Sequence, residues 1–118
     1  MNSRFLSISD LKKINFKKIG SDIKISKNVT IIGSKNISIG SNVRIDDYTI
    51  ISAQEGTLEI GSNVHLGGQS YFGCAGSIQI GSNINISQGV KLYSKLDNYL
   101  EHIAGELPLL RKIIIEDN

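Results

Sequence analysis

Apolar side chains recur at every sixth position through most of the chain, in four successive triplets. They are Ile19, Ile25, Ile31, Ile39, Ile45, Ile51, Ile60, Leu66, Phe72, Ile80, Ile86 and Leu92. The residue two places earlier is usually apolar as well, and such alternation with period two is typical of strands with one buried face. A period of six does not match the helical repeat, so the pattern predicts short strands rather than helices.

One corner sequence returns in successive triplets. IGSNV occupies residues 39–43 and again 60–64, and IGSNI occupies residues 80–84. Glycine followed by serine is turn chemistry, so each of these strands is expected to end at a tight corner. Three strands and three corners return the chain to its starting edge, and stacked coils bury the apolar stripe that one coil leaves exposed. The predicted fold class is all-β, a three-sided parallel solenoid.

The period divides the chain into three parts after its N-terminal segment. Residues 19–92 hold four coils, and residues 93–112 break the period as an excursion from the coil. Residues 113–118 resume it, with Ile113 and Ile115 in the strand positions of a further, incomplete coil. We therefore expect the chain to be a truncated protein or a fragment whose later coils are absent.

Basic residues concentrate at the beginning of the chain. Residues 1–35 carry eight Lys or Arg against two Asp, whereas residues 36–118 carry five against nine acidic residues. We interpret this as a solvated end of the molecule rather than a surface for nucleic acid or anionic membrane. Within residues 1–18, Ser7 followed by Asp10 is a helix-start signature, so a short helical cap over the first coil is predicted. A basic amphipathic segment that touches a membrane is the alternative.

Composition narrows the class of protein further. A chain of 118 residues makes one domain at most. The single Cys74 excludes an internal disulfide framework and a multi-cysteine metal site. The sequence shows no secretory signal and no apolar run of membrane-spanning length, so we expect a cytoplasmic protein without stable membrane insertion. Phosphate-loop, dinucleotide and zinc motifs are also absent from the sequence.

The hexads IGSNVR, ISQGVK and IGSNIN resemble those of the hexapeptide-repeat acyltransferases, over about residues 19–118. The resemblance implies a left-handed parallel β-helix, which is usually a homotrimer with active sites in the clefts between subunits. It also implies acetyl-CoA as co-substrate and no metal. Some carbonic anhydrases share this solenoid, but they need three metal-binding histidines and this chain has two.

The stretch that begins VRIDDYTIISA is similar to bacterial sugar O-acetyltransferases of surface-polysaccharide synthesis. That similarity implies acetyl transfer to a sugar hydroxyl in lipopolysaccharide or capsule synthesis, with a sugar or glycan acceptor and no nucleic-acid partner. In this family an excursion such as residues 93–112 commonly covers the active site of a neighbouring subunit. The alternative is a non-catalytic β-solenoid fragment that acts as a scaffold, because the missing coils normally supply much of the coenzyme A groove.

Acetyl transfer needs a general base, and histidine suits this role near neutral pH. His65 lies between the inward positions Val64 and Leu66, so it is predicted to point outward. Its sequence VHLGGQ is similar to the HIAHD motif of lipid A acyltransferases at the first histidine only. The second histidine, the base in those enzymes, would fall at Gly68. His65 is therefore a candidate either as base or as a residue that lines the cleft.

The second candidate base is His102, in the excursion sequence DNYLEHIAGE. Maltose and galactoside acetyltransferases place their catalytic histidine in a comparable excursion, but the matching place here is Asp97 or Asn98. Asp97, Asn98 and Tyr99 are candidate substrate contacts, with a solvated polar loop as the alternative. Asp46 and Asp47 share one corner, and we expect both carboxylates to be solvated. For other cofactor contacts the sequence offers no assignment.

Overall fold

The coordinates are a computed structural model that describes residues 3–96 and 109–118. One helix, α1 (Ile8–Ile14), precedes a series of strands of two or three residues. The strands are β1 (Lys18–Ile19), β2 (Ile23–Ile25), β3 (Thr30–Ile32), β4 (Ile37–Ile39), β5 (Val43–Ile45), β6 (Ile50–Ser52), β7 (Leu58–Ile60), β8 (Val64–Leu66), β9 (Tyr71–Gly73), β10 (Ile78–Ile80), β11 (Ile84–Ile86), β12 (Lys91–Tyr93), β13 (Lys95–Leu96), β14 (Leu109–Leu110) and β15 (Ile113–Ile115). A short 3₁₀ turn, Ser34–Asn36, precedes β4.

Each strand of a coil pairs in parallel with the equivalent strand of the preceding coil, which gives three sheets around one axis. The first sheet has the order β1-β4-β7-β10-β15, the second β2-β5-β8-β11, and the third β3-β6-β9-β12. Ile39 lies opposite Ile60, Ile60 opposite Ile80, and Ile80 opposite Ile115. This register confirms the predicted fold class, a parallel β-solenoid of stacked coils with a short N-terminal helix.

The core is the column of inward side chains that the hexads supply. Nine of the twelve six-residue positions are buried, and Phe72 is among the largest fully buried side chains. Ile19, on the edge strand β1, is the most exposed of the twelve. Aliphatic stacking along the axis therefore provides most of the apolar burial that stabilises the fold.

The repeated corner works differently from the expected glycine turn. Positive φ falls on asparagine: Asn42 (φ 56°), Asn63 (φ 58°) and Asn83 (φ 61°). Asparagine tolerates this left-handed region better than other side chains. Their amides form a ladder, with Asn42 Nδ2 donating to Asn63 Oδ1 at 3.0 Å and Asn63 Nδ2 donating to Asn83 Oδ1 at 3.1 Å. Glycine is needed for space instead, since a Cβ on Gly40 would lie 2.6 Å from the carbonyl oxygen of Gly61.

Asn63→Ala is expected to lower the free energy of unfolding by about 1–2 kcal/mol, since alanine is strained at a positive φ. The substitution also removes the central amide of the ladder. Asn63→Gly is the matched control and should cost less, because glycine adopts this conformation without strain. Urea unfolding followed by circular dichroism measures both; equal losses would show that backbone conformation is not the reason for asparagine here.

The N-terminal segment covers the first coil. α1 begins with a capping box, in which Ser7 and Asp10 exchange side-chain to backbone hydrogen bonds, as the helix-start signature predicted. Before the helix, the backbone N–H of Leu6 donates to the carbonyl of Ile25 at 2.8 Å. Leu11 and Phe16 add buried side chains to the core. The segment thus pairs with an edge strand of the first coil that would otherwise expose backbone groups. Within the described residues, no helix is long and apolar enough to cross a membrane.

The excursion starts slightly later than the sequence predicted. Tyr93 still belongs to β12 and lies opposite Gly73, so the coil extends to residue 93. Just beyond it, β13 and β14 pair in antiparallel fashion, with Lys95 opposite Leu110. These two strands form the base of the excursion. After it, β15 rejoins the first sheet with Ile113 opposite Ile78.

Candidate active site

His65 projects from the outer face of the second sheet. It is the middle residue of β8, and its neighbours Val64 and Leu66 are buried, so the side chain points outward as the alternation predicted. The parallel register stacks Arg44, His65 and Asn85 in one outward row. The His65 side chain keeps 41% exposure, and a groove of about 450 Å³ lies beside this row.

Both ring nitrogens of His65 have hydrogen-bond partners. Nε2 lies 2.7 Å from Oδ2 of Asp46, and Nδ1 lies 2.8 Å from Oδ1 of Asn85. An anionic carboxylate is an acceptor only, so Asp46 holds the proton of His65 on Nε2. Oδ1 of Asn85 is an acceptor as well, so in the neutral ring the Asn85 amide must turn and donate its Nδ2–H to the lone pair of Nδ1, which is the atom that can take a proton from substrate. The carboxylate fixes the tautomer and the ring orientation, which is the arrangement that a histidine base needs.

The expectation that Asp46 is a solvated carboxylate was wrong. Its side chain is only 17% exposed, and Arg44 Nε donates to its Oδ1 at 2.7 Å. Partial burial alone would raise the pKa of Asp46, but the hydrogen bonds from His65 and Arg44 outweigh that effect and lower the pKa. Asp46 is therefore a negative charge held between two basic side chains. Asp47 is more open, at 39% exposure, and lies 3.7 Å from the Arg4 guanidinium.

Asp46→Asn is expected to be less stable than the wild type near neutral pH but not in acid. The pKa of Asp46 in the folded chain lies below its ordinary 3.8, so folding favours the carboxylate. Its contribution is fully present above the unfolded value and is lost as the pH falls through the folded value. Urea unfolding from about pH 6 to about pH 2 should therefore show the gap between the two proteins closing in acid. A gap of constant size would contradict this assignment.

The corner after His65 explains two breaks in the apolar pattern. Thr49 and Ser70 occupy positions where the other coils carry apolar residues, and both are buried. Their hydroxyls donate to the same carbonyl oxygen, that of Gly67, at 3.2 and 2.8 Å. A Cβ on Gly67 would lie 2.4 Å from the backbone nitrogen of Gln88, so this corner has no room for a side chain. The buried hydroxyls thus fix the chain directly after the candidate base.

The excursion leaves from a different side of the solenoid. His65 lies on the second sheet, whereas β13 follows the third sheet at its corner with the first. Within one chain, the outward face of His65 and the base of the excursion are therefore separate surfaces. The candidates His102, Asp97, Asn98 and Tyr99 lie outside the described residues.

Asp46 and Asn85 are the site residues that sequence reasoning missed. A usable signal was present, since Asn85 follows His65 by 20 residues and Arg44 precedes it by 21, which matches the coil spacing. Among residues 3–96 and 109–118, no group of three or more His, Cys, Asp or Glu side chains is arranged to hold a metal ion.

Comparisons with known proteins find sugar acyltransferases among the proteins that resemble this chain. No protein-family model matches this sequence. A curated relative is the dTDP-4-amino-4,6-dideoxy-D-glucose acyltransferase of Escherichia coli, 39% identical over 95 residues. The alignment covers 80% of this chain and 50% of the relative, so the chain spans about half the length of the curated protein it matches.

Solved structures with the same fold come from AntD, an N-acyltransferase of Bacillus cereus. A mutant of AntD in complex with dTDP and coenzyme A superposes with a TM-score of 0.87 at 29% identity, over 98% of this chain and 66% of AntD. AntD with dTDP and 3-hydroxybutyryl-CoA gives a TM-score of 0.87 at 30% identity, over 98% and 65%. The chain is therefore a homologue of sugar acyltransferases with a β-solenoid fold. This finding supports the resemblance to the hexapeptide-repeat acyltransferases that the sequence indicated.

Proposed function

We propose that this chain takes part in acyl transfer from coenzyme A to the amino group of a nucleotide-linked amino sugar of the dTDP-4-amino-4,6-dideoxyhexose class. The observation that carries the proposal is the likeness to proteins named for this chemistry, in sequence and in structure. The sequence reading expected an acetyl group and a sugar hydroxyl. The relatives favour an amino group instead, and a related structure holds 3-hydroxybutyryl-CoA, so acetyl is one of several candidate groups.

In the proposed mechanism, the amino nitrogen of the sugar attacks the thioester carbonyl carbon. A C–N bond forms, the C–S bond breaks, and coenzyme A leaves as the thiol with the proton that the nitrogen loses. His65 Nδ1 takes that proton once the incoming amine displaces the Asn85 amide, and it returns the proton to the departing sulfur. Asp46 stabilises the imidazolium that forms between these two steps, through the 2.7 Å contact to Nε2.

The proposal includes a homo-oligomer, with the trimer that the family resemblance implies. Support comes from the separation of two surfaces in one chain. His65 is on the second sheet, whereas the excursion begins at the corner where the third sheet meets the first. A second copy would bring its excursion over the His65 face and complete the cleft. The role in surface-polysaccharide synthesis and the cytoplasmic location are parts of the same proposal.

The test is an assay of the purified chain with acetyl-CoA or 3-hydroxybutyryl-CoA and dTDP-4-amino-4,6-dideoxyglucose. Release of coenzyme A is followed with a thiol reagent, and the mass of the product is measured by mass spectrometry. Cys74 adds little background, because it is fully buried and burial raises the pKa of its thiol to about 12. A product that resists hydroxylamine is the expected amide, whereas cleavage would identify an ester and the hydroxyl acceptor. Absence of product together with absence of coenzyme A binding would leave the scaffold alternative.

A further inference from the structure

A second groove lies on another face of the solenoid, away from His65. It has a volume of about 270 Å³ and opens beside the third sheet, next to the base of the excursion. Two tyrosines, Tyr71 and Tyr93, and four polar side chains line it, those of Ser52, Gln54, Glu55 and Lys95. None of these residues takes part in the His65 cluster, so the groove requires its own explanation.

The two tyrosines form an aromatic surface within this groove. Their ring centroids lie 5.1 Å apart with an interplanar angle of 32°. Tyr93 is opposite Gly73 in the register, and Tyr71 is the residue two before Gly73. A Cβ on Gly73 would lie 2.9 Å from Cε1 of Tyr71 and 3.5 Å from its hydroxyl oxygen. The glycine thus leaves the space in which the Tyr71 ring lies across the sheet, while Tyr93 remains 53% exposed beside it.

The turn that carries Glu55 on the rim of the groove is held in place by close packing and by one side-chain hydrogen bond. Glu55 lies in the tight turn before β7, where Gly56 has φ 72° and no room for a side chain, since a Cβ there would lie 2.1 Å from the carbonyl oxygen of Cys74. Asn36 Nδ2 donates to the carbonyl of Ala53 at 2.8 Å and fixes the start of the same turn. The rim therefore presents a carboxylate acceptor at Glu55 and an ammonium donor at Lys95 in the same groove as the two tyrosines.

We infer that this groove is the pyrimidine subsite for the nucleotide of the acceptor, with Tyr93 and Tyr71 as the stacking surface. The inference rests on the proposed function, in which the acceptor carries a dTDP group and a second copy completes the cleft, so that the groove of one copy serves His65 of its neighbour. Thymine offers a planar ring with two carbonyl acceptors on either side of one N–H donor. Exposed aromatic rings stack on such a base. The carboxylate of Glu55 can accept from N3–H of thymine, and Lys95 and Gln54 can donate to its carbonyl oxygens.

The first arm of the test measures binding of dTDP and of coenzyme A separately, by calorimetry on the purified chain. Tyr93→Leu is expected to raise the Kd for dTDP by roughly ten-fold or more, since a base–aromatic stack contributes that much. Tyr93→Phe keeps the ring and should bind dTDP within about two-fold of the wild type. Both variants should bind coenzyme A as the wild type does. Circular dichroism checks that they are folded.

The second arm tests base recognition through Glu55. Cytosine lacks the N3–H donor, so the wild type should prefer dTDP to dCDP, and Glu55→Gln should reduce that preference. Unchanged dTDP affinity in Tyr93→Leu would overturn the pyrimidine subsite, while amide formation in the enzymatic assay would still stand. Coenzyme A binding without dTDP binding in the wild type would overturn the subsite and the dTDP-linked acceptor together. Binding of neither ligand would overturn both proposals.

Discussion

His65→Gln is expected to lower kcat for acyl transfer by two to four orders of magnitude, in line with the roughly 10²–10⁴-fold contribution of general bases. Glutamine retains a polar side chain on the outer face of β8 but cannot accept a proton in the transition state. The KM values for both substrates should change only by a few fold, because the proposed role lies in the chemical step. Steady-state kinetics of coenzyme A release measures both constants.

His102→Gln is the matched control, because His102 is the other histidine of the chain. If His65 is the base, this variant should keep most of the wild-type kcat. The reverse pattern, a large loss in His102→Gln and little in His65→Gln, would assign the base to the excursion. A large rise in KM for His65→Gln with unchanged kcat would instead make His65 a residue that only lines the cleft and binds substrate.

Ile60→Ala is expected to lower the free energy of unfolding by about 2–5 kcal/mol, the usual cost of truncating a buried isoleucine. Ile60 is only 4% exposed and belongs to β7, the middle strand of the first sheet. It lies between Ile39 and Ile80 in one row of inward side chains. Its removal leaves a cavity within the column that neighbouring coils can close only in part. Equilibrium urea unfolding, followed by circular dichroism, measures the loss.

Ile114→Ala provides the matched comparison on the same sheet. Ile114 lies between the two inward residues of β15 but points outward with 56% exposure. Its truncation removes little buried surface and should change stability by less than about 0.5 kcal/mol. Similar losses in the two variants would show that the aliphatic rows do not provide the main stabilisation of the solenoid.

The fold could be predicted because its information is local and repeated. The spacing from Ile39 to Ile60 to Ile80 gives the coil length, and parallel pairing then places those residues in one row. The capping box at Ser7 and Asp10 could also be read directly, since both partners lie within one helical turn. Each of these features depends on neighbours in sequence or on a constant period, so no distant contact had to be known.

The site was only partly predictable. The sequence alone determined that His65 points outward, because alternation in a strand allows no other direction when Val64 and Leu66 are buried. The contact between His65 and Asp46 depends on how one corner turns beside the next coil, and strand alternation carries no information about a corner side chain.

The same division holds for the whole protein. Its sequence determined the solenoid and the direction of each strand side chain, because burial of apolar residues at a fixed period permits one arrangement. Only the tertiary structure decided that Asp46 is bound rather than solvated, that asparagine rather than glycine makes the repeated turn, and that Tyr71 and Tyr93 meet across Gly73. Those outcomes depend on distances between side chains in different coils, which a one-dimensional pattern does not encode.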